Sequence, residues 1–84
     1  MTSVLRIPDK FETLPLMTGM DMVIDTKGLA CEICPRGGDI FVRLEGTQSR
    51  ITVRENEKFD FCGKIVVSVG GNSPSVDCFY YHTL

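Results

Sequence analysis

The sequence predicts a small all-β domain: an antiparallel β-sandwich or barrel of about six to seven short strands, preceded by an N-terminal arm. Three observations carry that expectation. The second half of the chain alternates apolar and polar residues at period two, as half-buried strands do. The alternating runs are separated by short stretches of turn residues, of a length that suits antiparallel hairpins and not crossover helices. Eight glycines in 84 residues supply many reversals, because positive φ costs glycine little.

Taken in order, residues 1–19 are expected to form the arm or an edge segment. Pro8, Pro15 and Gly19 interrupt anything helical there and leave room for no more than a turn starting at Pro8 that pairs Phe11 with Leu14. The sandwich domain then spans 20–84. Residues 20–24 and 29–34 read as two strands joined as a hairpin across Asp25-Thr26-Lys27-Gly28. After Pro35-Arg36-Gly37-Gly38, residues 39–45 place Ile40, Val42 and Leu44 on one face and Arg43 and Glu45 on the other, with Phe41 as the apolar exception. Residues 50–54 repeat the arrangement with Ile51 and Val53 pointing inward. Phe59 and Phe61 alternate with Lys58 and Asp60, and Ile65, Val67 and Val69 line one side of a β-branched run. Residues 76–81 close the pattern, apolar or aromatic on both faces except for Asp77. Turns are expected at 46–49, 55–57 and 70–74. No internal repeat or linker divides the chain, so one domain is expected.

Composition narrows the function classes. A domain of this length buries only roughly 60–65% of its unfolded surface, so its stability margin is thin. Hydrophobic residues at 43% and charged residues at 24% are too apolar a mixture for a disordered segment. A net charge of −2 offers no electrostatic footprint for nucleic acid or for an anionic membrane, and neither is expected as a partner. Residues 1–8 lack the basic start and apolar run of a secretory signal, and no stretch approaches the roughly 18 apolar residues of a membrane span. The chain is therefore expected to begin in a cytoplasm, where its four cysteines stay reduced and read as free thiols or metal ligands.

The sharpest chemical motif is Cys31-Glu32-Ile33-Cys34, half of a tetrahedral zinc site that Cys62 and Cys78 would have to complete. Against it, Cys62 and Cys78 lie within strand patterns. Residues i and i+3 on a strand also face opposite ways, so the bland reading of small buried cysteines is preferred and no cofactor is expected. A redox reading of the same pair needs a helix N-terminus, and nothing helical follows Cys34. His82 reads as an exposed histidine near the chain end or an interface contact, and the carboxylates are scattered over turns and outward positions. No nucleophile, base and oxyanion donor can be placed together, so no enzyme is expected. What remains is excess apolar surface. Phe79, Tyr80 and Tyr81 cannot all face one core from a single strand, so Phe79 and Tyr81, together with Phe41 and His82, are the candidate interface residues.

The succession of 27–34 as a strand, a glycine turn, Asp39-Ile40-Phe41-Val42-Arg43-Leu44, then 51–59, 63–69 and a closing 76–81 resembles the small β-sandwich virion proteins of tailed bacteriophages, such as head decoration (cement) proteins and small tail components. The resemblance is one of pattern. It implies a non-enzymatic structural protein in symmetric copies on a capsid or tail surface, assembled in the bacterial host cytoplasm. It would bind the major capsid or tail protein. The alternative is a zinc-stabilised β-domain acting as a cytosolic adaptor or regulator, with Cys31, Cys34, Cys62 and Cys78 as ligands.

Overall fold

The computed structural model describes residues 7–70 and 74–82. The first six residues of the expected arm, the middle of the expected 70–74 turn and the last two residues of the sandwich domain lie outside the described residues. Within them the chain is all-β. Six strands form: β1 (Lys10–Pro15), β2 (Met22–Arg36), β3 (Ile40–Leu44), β4 (Arg50–Val53), β5 (Phe59–Ser68) and β6 (Ser75–Tyr81). Every pairing is antiparallel, and the strands make one sheet in the order β1-β6-β2-β5-β3-β4.

The expected hairpin across 25–28 is replaced by a bulge inside one long strand. From Asp25 to Ala30, β2 takes five residue steps while β5 takes two, from Lys64 to Cys62. The surplus of three is odd, so the inward set changes parity. Ile24 before the bulge and Thr26 at its start are buried, as are Cys31 and Ile33 after it. That phase change is why the segment reads as two strands. Its local chemistry is also that of a turn: Lys27 (φ 52°) and Gly28 (φ 88°) are left-handed, and the Lys27 N–H donates to Asp25 Oδ1 at 2.9 Å. The strand opposite decides the outcome. Gly63 of β5, at φ 119°, bends with β2, and its N–H donates to the buried Thr26 Oγ1 at 2.8 Å.

Because β2 and β5 both bend here, each contributes to two layers. One layer holds β1, β6, residues 30–36 of β2 and residues 59–62 of β5. The other holds residues 22–25 of β2, residues 64–68 of β5, β3 and β4. With no helix among the described residues to cover an inner face, the layers bury each other. Ile33, Val76 and Cys78 of the first and Ile40, Val42, Ile65 and Val67 of the second belong to one core cluster. The single sheet thus folds into a sandwich.

Two further expectations are corrected. Consecutive strands are seldom neighbours: only β3 and β4 pair as a hairpin, while β1 pairs with β6 and β2 lies between β5 and β6. The segment from 10 to 15 is edge strand β1, the edge alternative for residues 1–19, and the turn expected to pair Phe11 with Leu14 does not form: the two sit on opposite faces. Leu14 packs against the core and Phe11 is exposed. Pro35 is tolerated within β2 because β5 does not reach it. Its carbonyl accepts instead from Asn56 N at 2.8 Å, which ties down the β4–β5 turn.

Candidate interaction surface

The two layers do not close along one side. Residues 59–62 of β5 pair with β2, but β3 joins β5 only from Ile65 onward. Between that free edge and the β3–β4 hairpin lies a groove of about 340 Å³, whose apolar walls are Val42, Leu44, Ile51, Phe59, Phe61 and Ile65. All six side chains belong to the inward set of their strands. Yet Leu44 is 63% and Ile51 49% exposed, because the opposing layer stops short of them. Phe59 and Phe61, two apart on β5, stack with ring centroids 6.1 Å apart and form the opposite wall.

The interface residues expected from sequence lie elsewhere and do not form one patch. Phe79 and Tyr81 project from the outer face of β6, half-buried. Phe79 stands opposite Phe11 of β1 with centroids 4.9 Å apart, and Tyr81 is in register with Ala30. His82 is exposed, and Asp9 Oδ2 accepts from its main-chain N–H at 2.8 Å and also meets its ring Nδ1. Phe41 lies on the outer face of β3, separated from β6 by two strands. The Arg50 guanidinium stacks on its ring at 4.1 Å, and Gly70 backs it so closely that a Cβ there would come within 3.2 Å. The groove residues were assigned to the core by sequence, since periodicity reports the face a side chain takes and not whether the opposite layer reaches it.

The cysteines are dispersed. Cys31 and Cys78 are buried in the core, Cys34 is buried on the opposite side of β2 from Cys31, and Cys62 is exposed on the outer face of β5. All four thiols are free. Among the described residues no three His, Cys, Asp or Glu side chains are arranged to hold a metal ion. Cys31 is in register with Tyr80 and Cys78 with Ile33, so the two core thiols are diagonal neighbours on adjacent strands. Their shared hydrogen bond pushes the Cys31 thiol up, as do burial and the charges of Glu12 and Asp60. The same bond pulls Cys78 down while its burial pushes the other way. Burial disfavours a thiolate at both positions, but at Cys78 the bond from Cys31 outweighs it and the net shift is downward.

No family model, curated protein or solved structure matches this chain.

On the other side of the sandwich a polar cluster occupies the corresponding opening. Tyr80 Oη donates to Glu12 Oε1 at 2.7 Å, Lys10 Nζ lies 3.8 Å from Glu12, and the same ammonium sits 5.1 Å from the Tyr80 ring centroid. Burial pushes the Tyr80 hydroxyl well up, reinforced by its bond to Glu12. Raised in the folded state, this group contributes stability that is complete below the ordinary phenol value and lost as pH rises past it. Urea titrations between about pH 8 and pH 11 should show unfolding free energy falling on the alkaline side. The fall should be shallower in Tyr80→Phe, and equal slopes in the two proteins would refute the assignment.

Proposed function

We propose that this chain is a non-enzymatic structural protein that works by binding neighbouring protein subunits, and that those neighbours are the capsid or tail proteins of a tailed-bacteriophage virion. The observation that carries the binding reading is the open apolar groove between Leu44 and Ile51 on one side and Phe59 and Phe61 on the other. Further apolar side chains, Phe11, Met17, Met20 and Val23, are also exposed. A domain with so thin a core gains little by leaving them in water, whereas burial against another subunit contributes roughly 25 cal/mol per Å². The virion setting rests on the strand pattern described above, in which small β-sandwiches act as symmetric clamps between larger subunits.

The test is co-sedimentation of the purified chain with assembled particles of its source phage, alongside native mass spectrometry of the chain alone. A fixed copy number per particle is expected. Leu44→Glu, which adds a charge to the groove wall at an exposed position, should weaken binding by about tenfold or more with little change in melting temperature. A chain that stays monomeric and never sediments with particles would overturn the proposal, as would a monomer carrying stoichiometric zinc.

A further inference from the structure

We propose that the free edge of β5 at residues 59–62 receives an extended segment of another protein as an added strand, with an apolar, basic, apolar alternation. This deepens the binding reading above and rests on it. The first argument is main-chain. Residues 59–62 pair with β2 on one side, and among the described residues no backbone hydrogen bond reaches them from the other. Unpaired strand N–H and C=O groups are satisfied most completely by another strand, and this edge carries no proline to prevent it.

The second argument is the groove. It opens directly beside this edge, and alternate side chains of an added strand point to one face. Those on the inner face would enter the 340 Å³ between Phe59 and Phe61 on one wall and Leu44 and Ile51 on the other, so they must be apolar.

Charge selects the residue between them. On the outer face Asp60 stands directly opposite Glu32 across the β2–β5 ladder, a repulsive placement. Lys58 Nζ lies 3.8 Å from Glu32, and no ion pair to Asp60 occurs among the described residues. An added strand would set its outward residue on the open side of Asp60, where a lysine or arginine is attracted. A second copy of this chain fits less well. Antiparallel self-pairing about Asp60 opposes that carboxylate to itself, and pairing about Phe61 sets Asp60 against Cys62 and leaves its charge uncompensated.

The probe is a synthetic peptide, acetyl-Ser-Val-Lys-Val-Lys-Val-Ser-amide, titrated into the ¹⁵N-labelled full chain. Two companion peptides replace both lysines by glutamate or N-methylate every second residue. The lysine peptide is expected to shift and protect the amides of residues 59–62 and to shift those of Leu44 and Ile51. The glutamate peptide should bind about tenfold more weakly, and the N-methylated one should leave the 59–62 amides unprotected. In Asp60→Lys, an exposed position, the order of the first two peptides should reverse. An N-methylated peptide that binds as well as its parent would overturn strand addition. So would self-association through residues 59–62 without any peptide effect. Both results leave the chain a protein-binding module. Failure of every peptide to perturb the edge also overturns the inference, and the co-sedimentation result then decides separately whether the broader reading stands.

Discussion

Ile33→Ala is expected to destabilise the chain by about 2–5 kcal/mol, whereas Leu44→Ala, also inward-facing but from the opposing layer, should cost less than about 1 kcal/mol. Ile33 is completely buried, flanked in register by Phe59 of β5 and Cys78 of β6, in the layer that receives the core side of β3 and β5. Removing its outer carbons leaves a cavity that a rigid sheet on each side cannot collapse to fill. The total stability of a domain this size is on the order of 4–13 kcal/mol, so the loss is a large share of it and lowers the melting temperature by on the order of 10–30 °C. Leu44 keeps most of its surface in water already. Thermal and urea denaturation followed by circular dichroism measures both. Were the two substitutions equally costly, the groove wall would be core, and the apolar surface offered to a partner would not exist.

The same contrast explains what was legible in the sequence. Period-two alternation gave the all-β class and the correct inward set on β3, β4 and β5, because a sheet with one buried face imposes that pattern wherever it lies. It could not report that Leu44 and Ile51 sit where the opposing layer ends, since coverage depends on strands far away in the chain. Residues 25–28 misled for a different reason. A left-handed Lys27-Gly28 pair with an aspartate bonding back to it serves a hairpin turn and a wide bulge equally well, and the phase change across it fits both. Only the presence of β5, continuous on the other side, distinguishes them. Phe79 was legible as an outward aromatic because it breaks phase with Val76, Cys78 and Tyr80. Its neighbour Phe11 was not, because residues 1–19 read only as an arm or edge segment, and the face Phe11 takes is set by the register of β1 on β6.

Gly63→Ala should destabilise the chain by roughly 2–5 kcal/mol, although no atom beyond its chain neighbours lies within 4 Å of where the new Cβ would be. The cost is conformational. At φ 119° the residue lies beyond the left-handed helical region that asparagine or lysine can enter, in territory that essentially only glycine occupies. An L-residue would relax toward negative φ and rotate the 63 peptide. Its N–H would then swing away from Thr26 Oγ1, leaving a buried hydroxyl without the donor it now accepts from at 2.8 Å. D-alanine at the same position, introduced by chemical ligation, accepts positive φ, its methyl taking the place of the other α-hydrogen. It should hold full stability or gain a few tenths of a kcal/mol from the less flexible unfolded chain. Similar losses for the L- and D-residues would mean that the bend does not depend on this conformation. If only the L-residue is costly, the fold of the sheet onto itself is controlled at the point where the free edge of β5 begins. The L-variant should then lose the proposed binding through the groove along with stability, because without the bend the two walls of the groove no longer face one another.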